Sequence, residues 1–271
     1  MAMDNPLPPP GGSRTRLPPW DISPRHTWAM VARNRDVYWK TWKTNFLPPL
    51  LEPFLYLLSI GYGVGALIDE VGGVSYARFV APAILAITMM QAAFFETTYN
   101  SFVRMWFQKT WEAVTATPLS LDDVLAGEML WAAGKSAINA ALMGLVIVAF
   151  GLLPWTALVP VTLLAFVVGL SFAGLGMMFS ARVPAIDAFS FAIYLFITPM
   201  MLFSGTFFPL EALPQAAQAV AKALPLTHAV LLLRFFTQGA PWSWWSVAYL
   251  LASAVLFPAI AMQMMRRRLA A

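Results

Sequence analysis

Residues 156–180 read TALVPVTLLAFVVGLSFAGLGMMFS, a run of 25 residues with no charged side chain. At 1.5 Å of rise per residue such a run reaches about 37 Å, enough to cross about 30 Å of hydrocarbon as a helix. Working outward, five more apolar runs stand at about 45–67, 79–103, 129–151, 188–208 and 244–265. Each is long enough to cross. The run at 188–208 contains Pro199 and leads into Pro209, which a span tolerates when neighbours satisfy the freed carbonyl. The reading is an all-α polytopic membrane protein with six transmembrane helices.

Composition agrees. Of 271 residues 59% are apolar and 11% are charged, against about 25% charged in an ordinary soluble domain. A soluble core of this size cannot hide so much apolar surface. There is no cysteine, and only His26 and His228 carry imidazoles, so disulfides, a thiolate nucleophile and a metal centre are not expected. The net charge of +4 is no nucleic-acid signature.

Before the first span, residues 1–23 are rich in proline and read as a disordered cytoplasmic tail. Residues 24–44 read as an amphipathic interfacial helix. Trp28, Val31, Tyr38, Trp39 and Trp42 fall on one face, with Arg25, Arg33, Lys40 and Lys43 on its flank and Arg35 among the aromatics. Residues 45–271 form the transmembrane domain. With the N-terminus inside, thirteen Lys and Arg lie inside and three (Arg78, Lys222, Arg234) outside. The positive-inside rule therefore puts both termini in the cytoplasm.

Two connections are not plain loops. Residues 104–128 are polar and cytoplasmic, with a helical stretch up to Thr117, a break at Pro118, and Ser120 heading a helix whose first turn holds Asp122 and Asp123. Residues 209–243 are outside and unusually apolar. Pro214 opens one stretch, Pro225 breaks it, and Thr227 and His228 begin a second. Neither piece can span alone, which predicts a re-entrant helical hairpin between spans 5 and 6. His228 is expected to hold structure by hydrogen bonding.

Glu52, Glu96 and Lys135 each lie about seven residues inside a predicted span, at one depth about 10 Å below the inner interface. A lone charge there is costly, so pairing is expected, with Asn139 one turn beyond Lys135 as a further member. The cluster reads equally as the inner mouth of a pathway or as an ionic staple between helices. Gly169, Ala173, Gly174 and Gly176 mark a close helix approach. Gly134-Lys135-Ser136 echoes a phosphate loop, but Met129 stands where that motif needs glycine. ATP hydrolysis by this chain is not expected.

Four stretches bring a family into view: Tyr76–Ala86 (YARFVAPAILA), Phe95–Arg104 (FETTYNSFVR), Gln108–Leu130 (QKTWEAVTATPLSLDDVLAGEML) and Leu224–Phe235 (LPLTHAVLLLRF). Over about residues 25–268 the chain resembles permease subunits of ABC-2 type exporters. It is especially similar to the nodulation-factor subfamily, which moves lipo-chitooligosaccharides. The resemblance implies a permease homodimer in the inner membrane with two separate ATPase subunits. ATP and Mg would bind those ATPases, with no cofactor in this chain. It further implies a coupling helix at about Met105–Thr117, with Trp106, Gln108, Lys109, Trp111 and Glu112 as ATPase contacts. The cargo class is a glycolipid, oligosaccharide or drug-like amphiphile. An ion-coupled carrier and a membrane-embedded glycosyl- or acyltransferase are the alternatives. The first would often show inverted repeats; the second needs a catalytic cluster that the residues do not display.

Overall fold

The computed structural model describes residues 20–43, 51, 54–68 and 70–269. The tail at 1–19, the start of the first span and Glu52 lie outside the described residues. The architecture is a helical bundle. In chain order come α1 (Pro24–Lys40), the short apolar α2 (Phe54–Ala66), α3 (Tyr76–Phe107), α4 (Thr110–Thr115) and α5 (Leu121–Ala149). Then follow α6 (Trp155–Ser180), α7 (Ile186–Phe203), α8 (Gln215–Lys222), α9 (Pro225–Gln238) and α10 (Trp244–Leu269). A two-residue ribbon pairs Glu70–Val71 with Val74–Ser75. Its turn is Gly72-Gly73, where both φ angles are positive, as a tight hairpin turn demands.

Among the described residues five helices, α3, α5, α6, α7 and α10, are long and apolar enough to cross a membrane. The bent pair α8 and α9 would make a sixth if it counted as one span, and the described part of α2 is shorter than a span. The centre is α3, with 83% of its apolar window buried, and the periphery includes α7, with 22%. Around α3 pack α5, α6 and α9, while α6 also packs on α5 and α10. Small residues permit this closeness. A Cβ on Gly174 would stand 2.6 Å from the Phe257 carbonyl carbon of α10, so only glycine lets the two backbones meet there.

Exposed tryptophans gather at two ends of the bundle. Trp28 and Trp39 stand out from α1 and Trp42 just after it, and Trp155, Trp244 and Trp245 begin α6 and α10 at the opposite end. Between them the outer faces carry Val159, Leu163, Val255 and Leu256, all exposed. An apolar girdle between aromatic belts is the surface of a protein solvated by lipid.

α1 shows a different face to the bundle from the one its aromatic stripe suggests. Thr27, Met30, Asn34 and Tyr38 are its buried residues, spaced at three and four as one helical face requires, and they pack on α5. Tyr38 therefore leaves the exposed stripe and meets Trp131 edge-on at 5.5 Å. Arg35 is exposed and pairs with Asp36. The close seat of Met30 rests on Gly127, where a Cβ would fall 2.6 Å from that of Met30. Ser120 and Asp123 form a reciprocal cap on α5. Asp123 also accepts the Ser23 N–H at 2.7 Å and the Thr27 hydroxyl at 3.2 Å, which moors α1 to the start of α5.

Both α3 and α5 run further at this end than the hydropathy windows predict. α3 continues through two π-helical stretches, Glu96–Asn100 and Val103–Phe107, and α5 begins at Leu121. Arg104 and Glu128, expected in the cytoplasmic connection outside the spans, are thereby carried on the same helices as Glu96 and Lys135.

Candidate functional site

The widened turns of α3 present Glu96, Asn100 and Arg104 along one side, facing Glu128 and Lys135 of α5. Lys135 Nζ donates to Glu96 Oε2 at 2.8 Å. Arg104 donates to Glu96 Oε1 at 2.8 Å and through Nε to Glu128 Oε2 at 3.1 Å. Asn100 Nδ2 donates to Glu96 at 2.6 Å, and Ser101 and Asn34 donate to Glu128 at 2.7 and 3.3 Å. Two carboxylates and two cations thus neutralise each other inside the bundle, which is how buried charge survives in an apolar setting. The group ties α1, α3 and α5 together.

Of the residues expected to share this site, Glu96 and Lys135 are in direct contact. Asn139 is buried but makes no hydrogen bond to either. Arg104 and Glu128 are the members that reading by hydropathy missed. A usable signal exists: Glu96, Asn100 and Arg104 are spaced by four, and Glu128 and Lys135 by seven, each set marking one helical face.

A cavity of about 220 Å³ opens beside the cluster between α1 and the end of α3, lined by Arg33, Tyr38, Glu96, Asn100, Arg104, Trp131 and Lys135 among others. Burial lowers the Arg33 pKa from its ordinary value, with Glu128 acting against it. Burial raises that of Tyr38, and Glu96 adds to the rise.

The proposed coupling segment is not one helix from Met105 to Thr117. The end of α3 takes Met105 to Phe107, and Lys109 turns the chain with φ of 54°. Only Thr110–Thr115 then forms α4. Gln108, Lys109 and Glu112 are exposed, and Lys109 and Glu112 pair at 2.7 Å. Trp106 is half-buried, with Lys109 and the Arg268 guanidinium against its ring at 5.7 and 5.3 Å. Trp111 differs from expectation: it is 3% exposed and belongs to the core. It holds α4 onto the bundle and shows no docking face.

At the opposite end, α8 and α9 meet at a bend of 85°. The segment is an L, not an antiparallel hairpin. α8, begun after Pro214, is largely exposed. α9, opened by Pro225, is largely buried and packs on α3. Thr227 donates to the Ala221 carbonyl at 2.6 Å and secures the corner. His228 reaches Ser246 Oγ at 3.0 Å through Nδ1 and the Lys222 carbonyl at 2.9 Å through Nε2, and stacks on Tyr249 at 4.1 Å. Both ring nitrogens are occupied by structural partners. Among the described residues no three His, Cys, Asp or Glu side chains come together to hold a metal ion.

Comparison with known proteins places this arrangement. Residues 25–237 match the family described as ABC-2 type transporter. The chain belongs to the ABC-2 type transporter family. It is 40% identical over 232 residues to nodulation protein J of Rhizobium leguminosarum bv. trifolii, covering 85% of this chain and 87% of that one. It is 35% identical over 247 residues to nodulation protein J of Bradyrhizobium diazoefficiens, covering 90% and 94%. A more distant relative is the inner membrane transport permease YadH of Escherichia coli, 23% identical over 205 residues, covering 73% and 77%. As an ABC-2 type transporter the chain is a multi-pass permease. The matched residues run from α1 through most of α9, so the ionic cluster, α4 and the outer L all lie within the part shared with the family.

Proposed function

We propose that this chain is the membrane permease of an ATP-driven exporter that moves an amphipathic glycolipid, oligosaccharide or drug-like molecule outward across the inner membrane. The observation that carries the reading is α4 with the turn that leads into it: Gln108 and Lys109 of the turn and Glu112 of the helix are exposed, and Trp111 anchors the helix to the bundle core, beside helices that share the ionic cluster. A push on such a knob is delivered to α3 and α5 together. ATP and Mg would bind two copies of a separate ATPase that docks there. The relatives' designation as nodulation protein J supports a lipo-oligosaccharide as the first cargo to test, and the YadH designation supports the inner membrane and transport.

Parity supports six crossings with both termini on the cytoplasmic side. α1 lies at the end where α3 finishes and α5 starts, and α10 returns there with Arg266 facing Asp122. Five long helices change ends five times, so one further passage, in the region of α2, is needed. The permease family supports a homodimer, and α7, whose apolar window is the least buried of the five long helices at 22%, is the helix that a second copy would cover.

The test is reconstitution of the permease with its ATPase in inside-out vesicles and measurement of labelled lipo-oligosaccharide uptake. Uptake that needs both ATP and the ATPase is expected. Uptake driven by a proton gradient without the ATPase would instead favour an ion-coupled carrier, for which a buried charge cluster is also suitable.

A further inference from the structure

The cavity beside the ionic cluster has polar capacity that the cluster does not use. Tyr38 is 4% exposed, and its hydroxyl is buried with no hydrogen-bond partner among the described residues. Such a group is costly to leave unmade and calls for a ligand or water. Lys135 gives one N–H to Glu96 and has three to give. Its ammonium also stands 5.9 Å from the centre of the Tyr38 ring.

The charge balance of the lining gives the sign of the ligand. Arg33, Arg104 and Lys135 line the cavity with one carboxylate, Glu96. Glu128, behind Arg104, is the second carboxylate. Arg104 and Lys135 are matched by these two, while Arg33 has no carboxylate within ion-pair distance among the described residues; its guanidinium donates to the Asn34 side chain at 2.9 Å. One positive charge is left over at a half-buried position, with donors in excess of acceptors. The volume of about 220 Å³ is below that of a site for a drug-sized molecule but suits a headgroup. The rim includes the exposed Val37, Thr41 and Gln108, close in sequence to the exposed Trp39, a residue type that favours headgroup depth.

We propose that this cavity binds the phosphate group of an anionic amphiphile, with Arg33, Lys135 and the Tyr38 hydroxyl as its donors. The inference does not rest on ATP coupling or on the identity of the cargo, because it concerns the permease alone.

The experiment is calorimetric titration of the full-length permease, purified in an uncharged detergent, with dihexanoyl phosphatidylglycerol, dihexanoyl phosphatidylcholine and inorganic phosphate. Saturable binding of phosphatidylglycerol with no heat from phosphatidylcholine is expected. Arg33→Gln should weaken it about tenfold, the scale of one charge-assisted hydrogen bond. Tyr38→Phe, which removes one oxygen and keeps the ring, should weaken it about threefold to tenfold on the same grounds. Binding of inorganic phosphate, lost in Arg33→Gln, would support the anion site and assign it to free phosphate rather than to lipid. Equal binding of the two lipids, or phosphatidylglycerol affinity unchanged in both variants while each elutes as a monodisperse species, would overturn the proposal.

Discussion

Arg266 in the last turn of α10 faces Asp122 in the first turn of α5 across 3.4 Å. The other oxygen of the same carboxylate accepts the Asp21 N–H at 2.9 Å. One buried side chain therefore gathers the beginning and the end of the described chain, some 240 residues apart in sequence. Asp122→Ala is expected to lower stability by about 1–3 kcal/mol, since a hydrogen bond to a charged group and an ion pair are lost together. Faster tryptic cleavage at Arg25 in vesicles, with the bundle otherwise intact, would show the N-terminal segment released.

Removing Lys135 is a different experiment from removing the pair. Lys135→Met leaves Glu96 buried with half of its cationic support and should cost about 3–5 kcal/mol. Adding Glu96→Gln should recover much of that loss. A thermal-denaturation double-mutant cycle measures the coupling, and losses that simply add would show that the two groups do not act on each other.

Glu112→Lys and Trp111→Ala separate docking from folding. Glu112 is exposed and its pair with Lys109 is worth under about 1 kcal/mol. Reversing its charge should leave the thermal midpoint unchanged while reducing co-purification of the ATPase. Trp111→Ala empties a core position and should cost about 3–5 kcal/mol. ATPase capture unaltered by Glu112→Lys would argue against α4 as the docking element.

The two glycines Gly174 and Gly134 should respond in opposite ways. Gly174→Val forces atoms into the backbone of α10 and is expected to abolish recovery of folded protein. Gly134→Ala meets nothing within 4 Å and should stabilise α5 by about 0.5–1 kcal/mol through reduced backbone entropy. Detergent-extracted yield and thermal midpoint together read the contrast.

The chain has no native cysteine, so single cysteines report directly on the outer L. Ala216→Cys and Ala219→Cys on exposed positions of α8 should react with an impermeant maleimide added outside, while Ala229→Cys, fully buried in α9, should not. Reaction of the α8 positions only from the cytoplasmic face would reverse the orientation.

Much of the architecture was legible from the residues alone. A charge-free run such as 156–180 can only be a span, because lipid leaves a helix no other way to satisfy its backbone. The cap at Ser120 and the break at Pro225 were equally local, and both stand in the structure. The pairing of Glu96 with Lys135 followed from one-dimensional depth, since two isolated charges at like depth have every reason to meet. What tertiary structure alone decided is which face turns inward. Tyr38 looked like part of an interfacial stripe and Trp111 like a contact for a partner, yet both are buried, because α1 and α4 pack on a surface that neither sequence segment encodes. Arg104 and Glu128 were assigned to the cytoplasmic connection outside the spans because hydropathy falls where they stand. The bundle extends its helices past that point, since four charges that neutralise one another can be buried together at a cost that none could bear alone.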